Sequence, residues 1–249
     1  MNLQTKTALI TGASGGIGAH IAKMFATAGA DVLLGYGRNQ QGADQVKTII
    51  EQAGGHARLA GFDLRDEKQV ETSFAGFDPT PDILINNAGV FTVGEILTMD
   101  AAHWDEVQAA NLRSAFLCSR EAIKRWTATK TQGVIVNIAS IAASLSHQHL
   151  THYCAAKAGM VALSRNLAAE FGSNGIRVNT VSPGVVWRDD IETAWPDGVA
   201  RWKQTAPLGQ LVEPDDIANA CLFLASDKAA AITGIELVVD AGISVALPF

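Results

Sequence analysis

A chain of 249 residues, 48% hydrophobic and 18% charged, can bury a sizeable core and is long enough for one large α/β domain or two small ones. It has 23 glycines, 7 prolines and no Gly/Pro-rich block to act as a linker, so it reads as one domain over residues 1–249. A formal net charge of −6 and a pI near 5.5 argue against a nucleic-acid partner, and no apolar stretch approaches the roughly 20 residues needed to cross a bilayer.

The N-terminus moves straight into a strand pattern, and its apolar run stops at Gly12, too soon for a signal peptide. Cys118, Cys154 and Cys221 are odd in number and far apart, as expected of reduced thiols in a cytoplasmic protein.

In chain order, strands are expected at Thr7–Thr11, Asp31–Gly35, Ala57–Phe62, Ile83–Asn86, Val134–Ala139, Arg177–Ser182 and Ile235–Val239. Each is a continuous apolar run, as in strands covered on both faces. Helical periodicity fills the intervals, as in Ile17, Ile21, Met24 and Phe25, or Leu163, Leu167 and Phe171, with Gly29, Gly54 and Gly172 as stops. A long helical pattern covers Ala101–Thr129. This alternation predicts an α/β fold: a doubly wound parallel sheet of the Rossmann type, with helices on both faces. Ligands bind such sheets beyond the carboxyl ends of the strands, where strand order reverses.

After the first strand, Thr11-Gly12-Ala13-Ser14-Gly15-Gly16-Ile17-Gly18 opens directly into a helix. Gly12 permits a tight turn, Gly16 lets backbone approach a pyrophosphate, and Gly18 lets helix and sheet pack closely. Exposed N–H groups at the positive end of the helix dipole would hold the phosphates. An NAD-selective protein places a carboxylate at the end of the second strand to bind the ribose and repel a 2′-phosphate. Here that position is Tyr36, and no acid occurs between Asp31 and Asp44. Arg38 could fork onto a phosphate with Asn39 beside it, which favours NADP(H) and leaves NAD(H) possible.

Tyr153 and Lys157 are four residues apart and share a helix face. Bringing a phenol from a pKa near 10 down to about 7 takes roughly 4 kcal/mol. A lysine charge about 6 Å away at an effective dielectric of 20 gives roughly 2.8 kcal/mol. Ser140, ending the fifth strand, could hydrogen-bond a substrate oxygen. Taken singly, these would read as a surface pair and a turn residue.

The Thr-Gly-x-x-x-Gly-Ile-Gly turn, Asn86-Asn87-Ala88-Gly89, Ser140 and Tyr153-x-x-x-Lys157 follow in the order that resembles the short-chain dehydrogenase/reductase family over essentially the whole chain. The resemblance implies catalytic roles for Asn111, Ser140, Tyr153 and Lys157, with Asn111 organising a water-linked proton relay. It implies cofactor contacts from Gly12, Ser14, Gly15, Gly16, Ile17 and Gly18, from Tyr36, Arg38 and Asn39, and from Asp63 and Leu64 at the adenine. Asn87, Ala88, Gly89, Tyr153, Lys157, Pro183, Gly184 and Val186 would complete the set. The family carries a mobile lid at about residues 187–210, where Trp187, Trp195 and Trp202 would either wall the substrate or pack into the body. Arg188 stands where many relatives have a threonine that touches the cofactor.

The implied reaction moves a hydride between NADP(H) and a secondary alcohol, hemiacetal or ketone of a small polar molecule, of sugar or polyol type. A 3-oxoacyl-carrier-protein reductase is the alternative, because Tyr153–Gly159 resembles that branch. Relatives of that kind place arginines where Thr131, Gln132 and Asn174 stand here. A nucleotide-sensing protein without catalysis is a third reading. His147, His149 and His152 lack a carboxylate or thiolate partner and read as a polar loop at the substrate mouth, with no metal expected. Trp104, Val107, Leu112, Phe116, Leu117 and Ile123, with Ala246-Leu247-Pro248-Phe249, suggest a homodimer or homotetramer.

Overall fold

A computed structural model describes residues 1–246. The strands are β1 (Thr7–Thr11), β2 (Asp31–Tyr36), β3 (His56–Gly61), β4 (Ile83–Asn86), β5 (Gly133–Ile138), β6 (Ile176–Pro183) and β7 (Glu236–Val239). All seven lie parallel in one sheet ordered β3-β2-β1-β4-β5-β6-β7. Strand order reverses between β1 and β4, so a crevice opens beyond their carboxyl ends.

Because side chains alternate along a strand, the two faces of the sheet form separate cores. Ile10, Leu34, Ile85 and Val136 meet α1 (Gly16–Thr27), α2 (Gln40–Gln52) and α9 (Pro214–Ala225) through Ile21, Phe25, Val46, Ile50, Ile217 and Leu224. Their sequence neighbours Leu9, Leu33, Leu84 and Ile135 face the other way. They meet Val70 and Phe74 of α3 (Glu67–Gly76), Leu117, Ile123 and Trp126 of α5 (Ser114–Thr129), and Ala168 of α6 (Thr151–Phe171).

The strands match their expected bounds to within one residue at each end. Gly29 and Gly54 take left-handed conformations just beyond α1 and α2, with φ of +96° and +83°. Gly172 does not end its helix that way. It keeps a right-handed conformation and starts a tight turn over Gly172–Asn174, and the left-handed break comes at Gly175, φ +75°. The run 101–129 is not one regular helix either. After α4 (Ala101–Gln108) the backbone widens into a π turn over Ala109–Arg113 before α5 begins. Such a bulge holds one extra residue and re-aims the side chains inside it.

Between β6 and α9 lie α7 (Ile191–Ala194) and α8 (Pro196–Thr205). Their apolar residues Ile191, Val199 and Trp202 form a small core with Leu211 and Ile141. Trp202 is buried, with its ring against Gly184 and its indole N–H donating to the carbonyl of Gln210 at 3.0 Å.

Candidate active site

The turn between β1 and α1 is closed by one side chain of β1 and one from the turn that follows β4. Thr11 Oγ1 donates to the Ile85 carbonyl at 3.2 Å and accepts from the backbone N–H groups of Asn87 and Ala88, both at 3.0 Å. Asn87 Nδ2 donates back to the carbonyls of Thr11 and Gly12. Gly12, at φ +66°, has Ala88 Cα 3.0 Å from where a Cβ would sit, and a Cβ at Gly18 would collide with the Gly12 carbonyl. Gly15 and Gly16 face open space, and no side chain caps the N-terminus of α1. A backbone cradle with free N–H groups suits a pyrophosphate. Ser14 and Ile17 border it, both partly exposed.

At the end of β2, the Tyr36 ring folds across Gly61 on β3. Arg38 is exposed, and no carboxylate occupies the strand end. Asn39 also caps α2, its amide oxygen accepting from the Gly42 N–H at 3.0 Å, which leaves its NH₂ free for a ligand. Asp63 is gripped by Arg65, Nε to Oδ1 at 3.0 Å and an Nη to Oδ2 at 2.8 Å. That hydrogen bonding holds its carboxyl down at about 2, with Arg38 contributing a longer-range pull. The partly buried Leu64 side chain packs against the core. Arg65 is absent from the residues expected on sequence grounds; its one signal is its place in the turn that follows β3.

The four residues expected to be catalytic come from three elements, the π turn, the end of β5 and α6, and converge. Asn111, inside the π turn, is fully buried. Its Nδ2 donates to the carbonyls of Val90 and Val107, both at 3.0 Å, while its Oδ1 has no partner among the described residues. That oxygen points at Gly89, where a Cβ would collide with it and would stand 3.8 Å from Lys157 Nζ. Ser140 caps the short turn after β5 by accepting the Ala142 N–H, and its hydroxyl lies near enough to Tyr153 to favour the phenolate. Lys157 is buried, donates to the Ile138 carbonyl at 2.8 Å and lies 5.5 Å from the Tyr153 ring centre.

The phenol does not shift in the direction that spacing alone suggests. Burial pushes Tyr153 up to about 12, with the Ser140 hydrogen bond pulling partly back. Desolvation also drives Lys157 down to about 8, so it has lost its charge by the pH at which the phenol ionises. In the chain alone, a neutral phenol stands beside a lysine that is largely protonated at neutral pH.

On the substrate side, Phe91 packs edge-on against Tyr153 with ring centres 5.2 Å apart, yet stays 63% exposed. It too is absent from the expected residues, although it lies just past the Asn87-Ala88-Gly89 turn, in a segment that follows a strand. The tryptophans divide: Trp202 is core, whereas Trp187 and Trp195 are 39% and 44% exposed. Arg188 pairs with Asp190 at 2.7 Å. Val186 forms a parallel bridge with Val212 in which Trp187 N–H and the Val185 carbonyl make the bonds, so its own peptide groups face the other side. Gly184 N–H donates to Val239, which fixes the Pro183-Gly184 corner. His147 and His149 are exposed, but His152 does not line the mouth. It is 0% exposed, because the first turn of α6 points it inward against α4.

Sheet, glycine turn and converging side chains define an oxidoreductase built on a dinucleotide-binding fold. Residues 12–244 match the family model described as enoyl-(acyl carrier protein) reductase. The chain is 39% identical to a D-threitol dehydrogenase of Mycolicibacterium smegmatis, covering 98% of this chain and 94% of that protein. It is 36% identical to a 3-oxoacyl-[acyl-carrier-protein] reductase of Chlamydia trachomatis, covering 97% and 98%. A crystal structure from Agrobacterium tumefaciens, assigned as a 2-deoxy-D-gluconate 3-dehydrogenase and holding NADP, superposes with a TM-score of 0.91 at 33% identity, covering 98% of each chain. The chain belongs to the short-chain dehydrogenase/reductase family and is an oxidoreductase of that family.

The lysine shift sets a pH dependence of stability. The folded chain gives up the Lys157 proton near pH 8, whereas the unfolded chain keeps it to about 10.5. Between those values the unfolded state binds more protons, so this group makes stability rise with pH. Tyr153, raised from 10 to about 12, acts in the opposite sense above pH 10. Comparing thermal unfolding of wild type and Lys157→Met, the wild-type Tm should gain on the variant from pH 8 to pH 10. A difference that stays flat across that range contradicts the buried, desolvated lysine.

Proposed function

We propose that this protein transfers a hydride between NADP(H) and a secondary alcohol, hemiacetal or ketone of a small polar substrate, of sugar or polyol type. The observation that carries the reading is the buried Lys157 ammonium 5.5 Å from the ring of Tyr153, with Ser140 near enough to that phenol to pull its pKa downward. The cofactor fits the residues present. The open Gly15-Gly16 cradle takes the pyrophosphate, Arg38 takes a 2′-phosphate where no carboxylate repels it, and the Val186 peptide takes the carboxamide. Bound NADP(H) supplies the hydride and, when oxidised, a positive charge beside the phenol.

The chain's own residues handle the proton. Ser140 donates to the substrate oxygen, and Tyr153 gives that oxygen a proton in reduction or removes it in oxidation. Lys157, still largely protonated at neutral pH, stabilises by its charge the negative charge that develops on Tyr153 as the proton moves. Asn111 Oδ1, a buried acceptor without a partner among the described residues, suits a water next to Lys157 that would return the proton to solvent.

Relatives named for threitol and 2-deoxygluconate support a polyhydroxylated substrate, and Phe91, Trp187 and Trp195 offer ring faces for its C–H groups. The carrier-protein reductase stays as a second reading, supported by the Chlamydia trachomatis relative. Thr131 and Gln132 precede β5 and Asn174 precedes β6, at the far end of the sheet from Tyr153, so their lack of arginine does not describe this subunit's mouth. Residues 1–249 act as one domain with residues 187–210 as a lid. Exposed Phe116 on α5 and exposed Val238 on the edge strand β7 support a homodimer or homotetramer. Leu247, Pro248 and Phe249 lie outside the described residues. No helix among the described residues is long and apolar enough to cross a membrane. The reduced thiols of Cys118, Cys154 and Cys221 suit a cytoplasmic location.

Following reduced-nicotinamide absorbance with sugars, polyols, cyclic ketones and acyl thioesters should find turnover of a polyhydroxylated compound. Tyr153→Phe should lower kcat by several orders of magnitude while cofactor still binds; retention of a tenth of wild-type kcat rules out the assignment. Arg38→Ala should raise the KM for NADP(H) about ten- to a hundredfold, the loss of one charged hydrogen bond, and leave NAD(H) nearly unchanged. Equal losses with both cofactors would contradict the assignment of Arg38 to the phosphate.

A further inference from the structure

We propose that Thr92, His103 and His152 form a proton-ordered clamp that fixes segment 90–99 against the start of α6 and so sets Phe91 beside Tyr153. The inference rests on the reading of Tyr153 as the acid/base, and assigns positioning residues to it.

Thr92 Oγ1 lies 3.0 Å from His103 Nε2 and 3.1 Å from His152 Nε2. The two imidazoles meet edge to face, 4.8 Å between centres. His152 directly precedes Tyr153, and its carbonyl accepts from Gln108 Nε2 at 2.8 Å. The residue before the phenol is therefore held at both backbone and ring. Two imidazoles and a hydroxyl lack an acidic ligand, and among the described residues no three metal-ligating side chains gather.

One hydroxyl between two ring nitrogens has a single proton to give, so at most one ring can accept from it and the other must donate to it. His152 Nδ1 decides which. It is buried with no partner among the described residues, and a bare lone pair there costs less than an N–H without an acceptor. His152 therefore carries its proton on Nε2 and donates to Thr92, which leaves the Thr92 proton free to be donated to His103 Nε2 with the His103 proton on Nδ1. Burial, with His103 adjacent, pushes the His152 pKa down and keeps that ring neutral.

Segment 90–99 has little else to hold it. Val93, Ile96 and Leu97 are exposed, so apolar burial anchors it weakly. Its other ties are Asn111 Nδ2 to the Val90 carbonyl and Gly94 N–H to the His149 carbonyl at 2.9 Å. Phe91 lies between the first of these ties and Thr92, so the clamp governs where its ring stands.

Thr92→Val keeps the side-chain shape and removes the hydroxyl, whereas Thr92→Ser keeps the hydroxyl. Hydrogen-exchange mass spectrometry of the full chain should show amides of residues 90–99 exchanging about tenfold faster in Thr92→Val, with Thr92→Ser close to wild type and the sheet unchanged in both. With a substrate found in the carbonyl and polyol screen, Thr92→Val should raise its KM several-fold and leave cofactor affinity intact. Nitrogen-15 ring shifts of wild type should show His152 protonated at Nε2 and bare at Nδ1. Unchanged exchange in Thr92→Val, equal loosening in Thr92→Ser, or a His152 proton on Nδ1 would overturn the clamp. The exchange and ring measurements need no turnover, so they stand apart from a failure of Tyr153 as acid/base.

Discussion

Lys157 carries an ammonium into a nearly dry interior, and the surrounding site is arranged around the cost of keeping it there. An unpaired buried charge is expensive, and a lysine that loses solvent tends to shed its proton. The Ile138 carbonyl takes one N–H, and the Tyr153 ring lies on the same helix face. The remaining N–H groups point toward a space bordered by Gly89 and the unpartnered Asn111 oxygen. That space must stay free of a Cβ for the two polar groups to share it, which accounts for glycine at 89. The site is polar and incomplete within the protein, as expected where ribose hydroxyls or water finish the hydrogen bonding.

Helix α6 must hold its rotation for this to work, and a buried polar chain pins it. Asn86 Nδ2 donates to Asn137 Oδ1 at 2.7 Å and to Ser119, Asn137 donates to Ser164, and Thr180 donates to Ser164 at 2.8 Å. Strands β4, β5 and β6 are thereby tied to α5 and to the point on α6 seven residues beyond Lys157, on the same face. Every member is buried. A network satisfied in this way fixes one arrangement more firmly than apolar packing would.

Much of this is legible in the sequence. Apolar runs bounded by glycine mark the strands, and the glycine turn is recognisable because a tight turn, a close helix and an open backbone leave few other residue choices. What escapes depends on contacts distant in the chain. The π turn at Ala109–Arg113 is hidden because it contains neither glycine nor proline, and ordinary helical residue types run through it without a break. His152 looks like its exposed neighbours His147 and His149 until α4 is placed against it. A fully charged lysine at helix spacing would shift the phenol down; only burial of both groups reverses the direction.

The crevice beyond β1 and β4 serves, on this view, to bring a nicotinamide and a carbinol carbon together for direct hydride transfer. Reduction of a turned-over carbonyl compound with NADPH carrying deuterium on one face of the nicotinamide C4 tests this most directly. Deuterium from one of the two faces should appear on the new carbinol carbon, with none released to water. Label lost to solvent, or a product unlabelled from either face, would contradict direct transfer.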